Sequence, residues 1–247
     1  MSYFLEFLTA AETTQLLKLL IILGCCFPFG ILAGNSAVVV FNRIPASWLC
    51  DYNEKPSEEL LSRDTQRIKS VPWKAFFSMF FVLAAIKMAI VDCQYAIATL
   101  IALWLLLIIS IADWKYMIIP DQFVILLAIT AFGFIPFQQS ILSPLWGALI
   151  GAGCILLVGI AGKLLFKKEA LGFGDVKLLA TVGLMTGPYG IVLILIGSSF
   201  FSCAVYCIGI LRGTMKRADV QPLGPYIALA TALYFLLEVK SFFPGTF

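Results

Sequence analysis

Two runs of this chain, Tyr95–Ala112 and Ile191–Leu211, contain no charged residue, and each has about the length needed to cross a bilayer core of about 30 Å. Within a bilayer the backbone has to satisfy its own hydrogen bonds, which a single segment can do only as a helix. Charged residues make up 13% of the chain and apolar residues 61%, whereas soluble domains carry about a quarter charged residues. The sequence therefore predicts an all-α, polytopic membrane helical bundle.

Eight apolar segments follow one another along the chain, and they predict about eight transmembrane helices. We divide the chain into a first transmembrane helix in residues 1–41, a reduced cytoplasmic loop in 42–74 and a transmembrane core in 75–247. The segments are Leu16–Phe41, Ala75–Val91, Tyr95–Ala112, Gln122–Ile135, Pro144–Phe166, Val176–Thr186, Tyr189–Leu211 and Leu223–Val239.

The lysines and arginines concentrate in alternate connections, and this pattern predicts the orientation. The first, third, fifth and seventh connections carry nearly all of them, and such loops lie on the cytoplasmic side. Both termini are therefore predicted to lie outside. Because the net charge of +3 follows topology, we expect no nucleic-acid partner. Glu6 and Glu12 precede the first apolar run without a basic region, so we do not expect a cleavable signal there.

The sequence contains no histidine, which excludes Ser-His-Asp and Cys-His catalysis and any His-ligated metal. Seven cysteines are present, but none form a CxxC pair. Lone thiols in apolar helices usually behave as small hydrophobic side chains. We therefore predict no metal or redox centre.

Four acidic residues lie beside predicted helix ends on the cytoplasmic side, namely Asp113, Asp121, Glu169 and Asp175. An ionisable side chain at such a position is costly and marks function more often than stability. Asp121 follows a proline directly before an apolar segment, which is also typical of a helix N-terminal cap. Asp113 could equally be an interfacial acid paired with Lys115. The spacing leaves these alternatives open.

Asp175 belongs to a short motif, Gly172-Phe173-Gly174-Asp175-Val176-Lys177. The apolar segment behind it, Val176–Thr186, would reach only about 17 Å as a helix, well short of a bilayer core of about 30 Å. If the chain turns at Gly187-Pro188 near the outer surface, Asp175 begins its helix below the cytoplasmic surface. We then expect a water-filled recess with carboxylates at its floor.

Two carboxyl groups in such a recess share a proton, because like charges at short distance cannot both ionise easily. The ionised member takes a proton from water, and the protonated member polarises a scissile carbonyl. Asp113 is a candidate partner for Asp175 in such a pair. Gly172 and Gly174 would leave space for a substrate strand. Lys177 would either offset the negative charge or anchor its helix at the interface, and both interpretations stay open.

The chain resembles the type IV prepilin peptidases at four blocks, which follow the order of that family. Lys168–Ala180 matches its GxGDxKL block, and Pro222–Ala230 resembles its PFGPxLA block. Asp113, followed by Pro120-Asp121, resembles the block in which an aspartate at a helix end precedes Leu/Ile-Pro-Asp. Gly34–Pro45 resembles the GSFLNVVxxRLP block. Presenilin-like proteases also carry GxGD, but their Tyr-Asp pair and Pro-Ala-Leu motif are not seen here.

The resemblance implies a membrane aspartic endopeptidase in which Asp113 and Asp175 are the catalytic pair. It implies that a short basic leader is removed from type IV prepilins or pseudopilins at the cytoplasmic face of a bacterial inner membrane. The substrate segment and membrane lipid are the expected partners, and the peptidase step needs no cofactor. The residues expected to support the pair are Gly172, Gly174, Lys177, Pro120 and Asp121.

Many members of the family also N-methylate the new N-terminus with S-adenosylmethionine and bind zinc through two CxxC pairs. The first cytoplasmic loop of this chain keeps only Cys50, so we do not expect zinc. S-adenosylmethionine would be a cofactor only if the methyltransferase activity is retained. The alternative function is a transporter or assembly scaffold that uses Asp175 as an ion or proton site. Inverted repeats would favour a transporter, and none is evident.

Overall fold

The computed structural model describes residues 2–50, 60, 66–166, 172–214, 216 and 221–237. Within these ranges the protein is built from α-helices and two short 3-10 helices, without strands, so the all-α prediction is confirmed. The α-helices are α1 (Ser2–Arg43), α2 (Trp73–Met88), α3 (Cys93–Tyr116), α4 (Asp121–Thr130), α5 (Ser143–Phe166), α6 (Phe173–Leu211) and α7 (Gly224–Leu237), and the 3-10 helices are Ala46–Trp48 and Ala131–Phe137.

Four helical segments among the described residues are long and apolar enough to cross a membrane. Two further apolar helices, Asp121–Phe137 and Gly224–Leu237, are shorter. The eight predicted apolar segments all lie largely in helices, but eight membrane crossings and the orientation of the termini remain predictions. The four long segments are Ile22–Arg43, Cys93–Tyr116, Ser143–Leu164 and Phe173–Leu211.

Helix α6 is kinked at Gly187, whose backbone is non-helical with φ 68° and ψ −175°. A Cβ atom placed on Gly151 of α5 would lie 2.5 Å from the carbonyl oxygen of Leu179 and 3.0 Å from a side-chain carbon of Ile191. In a continuous straight helix Leu179 and Ile191 would be about 18 Å apart along the axis. The two arms of α6 therefore do not continue along one axis past Gly187-Pro188, and α5 packs against both of them.

The interior of the bundle is apolar at one end of α3 and carries a carboxylate at the other. At the first end, Tyr95 packs edge-on against Phe134, with ring centroids 5.5 Å apart, and Phe134 stacks on Phe235 of α7 at 5.0 Å. Aromatic pairs of this kind bury large areas and prefer such geometries. They fix the start of α3 against α7. The opposite end of α3 carries Asp113.

The end of α1 is tied to the segment that precedes α2. Asn42 donates from Nδ2 to the carbonyl of Ile68 at 3.1 Å and accepts the N–H of Ile68 at 2.9 Å. The Arg67 guanidinium donates to the carbonyl of Phe41, in the last turn of α1, whose carbonyls lack a helical partner, and to that of Ile44, just past the end of the helix. The acidic middle of the predicted loop 42–74 lies outside the described residues, but its two ends pack on the bundle.

Candidate active site

Asp113 is a buried carboxylate, with 5% of its surface exposed. It lies in the last turn of α3, which ends at Met117 in a left-handed cap whose N–H donates to the Asp113 carbonyl at 2.8 Å. The backbone N–H of Gly224 donates to Asp113 Oδ2 at 2.7 Å. Gly224 is the first residue of α7, and the free N–H groups at a helix N-terminus stabilise a negative charge. The start of one helix therefore holds the carboxylate at the end of another.

The close approach of Gly224 to Asp113 requires a residue without a side chain. A Cβ atom at Gly224 would lie 2.7 Å from Asp113 Oδ2 and 3.1 Å from its Cβ. Non-bonded carbon atoms pack best at about 3.5 to 4.0 Å, so any larger residue would displace the carboxylate or the helix. Gly224 belongs to the family-like block Pro222–Ala230, but the sequence indicated no particular role for it. No local pattern reveals a contact with a residue so distant in sequence.

Asp175 lies in the first turn of α6 and is partly buried. Its Oδ1 atom is buried and has no hydrogen-bond partner. The two carboxyl groups of Asp113 and Asp175 are close enough to interact electrostatically. A buried carboxylate oxygen without a partner is costly in a folded protein. The structure thus brings together the two acids that the resemblance singled out, with one polar atom left available.

The two glycines of the motif differ in their surroundings. Gly172 is exposed and precedes α6, and a Cβ atom there would lie at an ordinary contact distance of 3.5 Å from Asp175 Oδ2. A Cβ atom on Gly174 would approach Ile119 Cβ to 3.0 Å. Gly174 therefore has a packing role between α6 and the segment before α4, whereas space for a substrate strand beside Gly172 remains a prediction.

Lys177 forms a salt bridge with Asp121, with Nζ 2.8 and 2.9 Å from the two carboxylate oxygens. The ammonium group also lies 5.1 Å from the centre of the Phe173 ring. The side chains of Lys177 and Asp121 are 36% and 28% exposed. The contact joins the starts of α4 and α6 beside the acids. Neither of the two sequence interpretations of Lys177 named Asp121 as its partner.

Two alternative interpretations of the acids are wrong. Asp121 is the first residue of α4 and not its N-cap, because Pro120 occupies the cap position with extended backbone. An acid in the first turn is still favourable for the helix dipole. Asp113 does not pair with Lys115. Both residues are described, yet Asp113 binds Gly224 and the Lys115 ammonium lies 5.5 Å from the Tyr116 ring centre.

Among the residues that the structure describes, no cluster of three or more His, Cys, Asp or Glu side chains could hold a metal ion. Glu169, the remaining acid of the sequence analysis, lies outside the described residues. Cys50 is partly buried, and its thiol donates to the Ser47 carbonyl at 3.6 Å. The chemistry that the described site offers is that of two carboxyl groups and a helix N-terminus.

A family model described as the type IV leader peptidase family matches residues 100–208, which include both acids. The chain is 33% identical to the leader peptidase HopD of Escherichia coli over 122 residues, covering 48% of this chain and 78% of the relative. It is 30% identical to HopD of Salmonella typhimurium over 141 residues, covering 56% and 89%.

The chain is also similar to a prepilin leader peptidase/N-methyltransferase of Aeromonas salmonicida, with 32% identity over 141 residues. That match covers 54% of this chain and 47% of the relative, so the chain spans about half the length of this larger protein. No solved structure matches the chain.

Proposed function

The chain belongs to the type IV leader peptidase family, and from this premise we propose that it is an aspartic endopeptidase that removes the leader peptide from type IV prepilins or pseudopilins. The observation that carries the proposal is the pairing of Asp113 and Asp175. Two acids far apart in sequence lie at the ends of two helices, close enough to interact electrostatically, one held by a backbone N–H and the other with a buried oxygen that has no hydrogen-bond partner.

In the proposed reaction the two carboxyl groups hold one proton between them. The ionised carboxyl takes a proton from a water molecule, whose oxygen attacks the scissile carbonyl while the protonated carboxyl donates to the carbonyl oxygen. The tetrahedral intermediate then breaks its C–N bond, and a proton passes from the dyad to the leaving amine. Gly224 keeps Asp113 in place throughout, because its N–H binds one oxygen and leaves the other for water.

We place cleavage at the cytoplasmic face of a bacterial inner membrane, in a multi-pass protein. The four long apolar helices support a membrane location. Asp113 ends α3 and Asp175 begins α6, so both acids belong to the same end of the bundle. Lys115 and Lys177 lie in the same stretches, and an excess of lysine and arginine marks cytoplasmic ends.

The peptidase step requires only the two carboxyl groups and water. The Aeromonas salmonicida relative is named for an N-methyltransferase as well. If this chain retains such an activity, it requires S-adenosylmethionine as the methyl donor. Mass spectrometry of the mature substrate N-terminus distinguishes the two cases, because methylation adds a fixed mass to the new terminal residue.

The buried free oxygen of Asp175 would also suit a proton or ion site in a transporter or assembly scaffold. The two functions make different demands on Asp113. A peptidase needs both carboxyl groups in every turnover, whereas an ion site centred on Asp175 produces no cleaved substrate at all. Cleavage of a prepilin by the purified full chain therefore separates the two functions directly.

The test uses Asp113→Asn and Asp175→Asn with Asp92→Asn as the matched control. Asp92 caps the opposite end of α3 through hydrogen bonds to the N–H groups of Gln94 and Tyr95, and asparagine caps a helix about as well as aspartate. Loss of a general acid or base costs about 10²- to 10⁴-fold in rate, so each dyad variant should lose at least that much while Asp92→Asn keeps its activity. Full activity in either dyad variant would refute the assignment.

A further inference from the structure

A groove of about 740 Å³ lies between α2, α3 and α7, and the catalytic proposal does not use it. Its walls are apolar side chains from all three helices, among them Phe76 and Phe80 of α2, Leu103 and Leu107 of α3, and Leu229 of α7. Phe76 and Leu229 are themselves 56% and 47% exposed. The groove is therefore apolar and open on the side of the bundle.

One end of the groove is cationic. Lys69 and Lys115 line it, both are exposed, and no carboxylate among the described residues forms a salt bridge with either. The segment that carries Lys69 is anchored, because Asn42 makes two hydrogen bonds with the backbone of Ile68. The guanidinium group of Arg67 already donates its hydrogen bonds to backbone carbonyls. Two lysines therefore remain at this end to meet an anion.

Trp73 and Trp114 line the same end of the groove and are 45% and 60% exposed. Tryptophan is enriched where a membrane protein meets the headgroup level, because its ring is apolar and its N–H is polar. Below this level the lining becomes aliphatic and aromatic. The groove is thus cationic and aromatic at one end and apolar along its depth, which is the polarity of a phospholipid.

We propose that this groove binds one anionic phospholipid, with the headgroup phosphate at Lys69 and Lys115 and an acyl chain between α2, α3 and α7. Charge complementarity selects this occupant, since basic pockets between membrane helices bind anionic headgroups. The basic leader expected of the substrate would be repelled by the same lysines. Trp114 directly follows Asp113, so the lipid would form one wall beside the acids without taking part in their chemistry.

The test measures lipid retention by native mass spectrometry of the delipidated full chain, supplied with phosphatidylglycerol or with phosphatidylcholine. One bound phosphatidylglycerol is expected, retained in preference to phosphatidylcholine. Each basic residue near an anionic headgroup contributes about fivefold in affinity. The double variant Lys69→Gln/Lys115→Gln should therefore lose about thirtyfold of the affinity for phosphatidylglycerol.

The matched control is Lys87→Gln/Arg212→Gln, which also removes two positive charges but at residues outside the groove lining; it should keep the preference. Leu229→Trp tests the apolar part, because a larger ring there fills the groove from an exposed position and should displace the lipid. Arg212 and Leu229 are exposed and Lys87 is half-buried, and circular dichroism checks the fold of both variants.

Equal retention of the two lipids would overturn the proposal. The groove would then bind apolar chains, including a substrate helix, without recognising an anionic headgroup. Retention that survives Leu229→Trp would equally overturn it, by placing the lipid elsewhere. Both readouts are binding measurements. Their outcome does not depend on the result of the cleavage assay of the dyad.

Discussion

The hydrogen bond between Gly224 and Asp113 yields the sharpest prediction, for the variant Gly224→Ala. The added Cβ would lie 2.7 Å from Asp113 Oδ2, 3.1 Å from its Cβ and 3.2 Å from its Cγ. These distances fall short of comfortable contact by about 0.3 to 0.8 Å. Either the carboxylate rotates away or the start of α7 moves, and in both cases the 2.7 Å hydrogen bond is stretched or lost.

Two costs follow from this displacement. Overpacking a buried position destabilises a fold by about 1 to 3 kcal/mol, so the free energy of unfolding should fall by that amount. Misplacing a catalytic group by about 1 Å costs about 10²-fold in rate, so kcat for prepilin cleavage should fall about a hundredfold. KM should stay within about twofold of wild type, because uniform substrate binding does not depend on this contact.

The control for Gly224→Ala is Gly153→Ala in α5. A Cβ at Gly153 would meet nothing within 4 Å, and alanine is a better helix former than glycine by about 1 kcal/mol. This variant should be active and slightly more stable. A folded Gly224→Ala protein with wild-type kcat would refute the positioning role.

A double-mutant cycle keeps the test decisive even if Gly224→Ala folds poorly. In an Asp113→Ala background the contacts at 2.7 Å and 3.2 Å disappear, because the carboxyl group is gone. The stability cost of Gly224→Ala should then fall to a fraction of its value in the wild type. Additive costs in unfolding experiments would mean that Gly224 destabilises through some contact other than Asp113.

Three further predictions concern contacts around the site and the fold. The salt bridge between Asp121 and Lys177 is partly exposed, so Lys177→Gln should cost less than about 1 kcal/mol of stability, and an Asp121→Asn/Lys177→Gln double variant should cost less than the sum of the singles in chemical denaturation. Gly187→Ala combines φ 68° with a side-chain oxygen 2.7 Å from the new Cβ, whereas Gly213→Ala has φ 70° and open space. Thermal unfolding should show a cost of about 1 to 2 kcal/mol for the backbone alone at Gly213 and a larger one at Gly187; equal costs would contradict the packing argument. Asn42→Leu removes two hydrogen bonds to the backbone of Ile68 and should cost about 1 to 3 kcal/mol, while unchanged unfolding would show that the tie at the end of α1 contributes nothing.

Local sequence determined much of the architecture. The uncharged runs require helices, since a backbone in a bilayer has no other way to satisfy its polar groups within one segment. The Gly187-Pro188 pair predicted a break, because glycine accepts a positive φ and proline can begin a new helix. Both properties belong to the residues themselves, which is why the sequence was sufficient for them.

The acids show where this local reasoning ends. Spacing could not choose among the partners of Asp175, and Asp113 was selected by its resemblance to a family block. The interpretation of Asp121 as a cap was reasonable from its neighbours, but Pro120 takes that position. A helix terminus can be recognised from sequence to within a residue or two, and that margin is enough to exchange a cap for a first-turn residue.

Only the tertiary structure decided which groups meet. Gly224 reaches Asp113 from a helix 111 positions away in sequence, and Lys177 finds Asp121 across 56 positions. The groove likewise exists only because α2, α3 and α7 pack side by side. Helical periodicity reports neighbours three or four residues apart, whereas these contacts depend on how whole helices are placed. The sequence alone thus supplied the helices and the candidate acids, and packing decided that one of those acids is held by the first N–H of another helix.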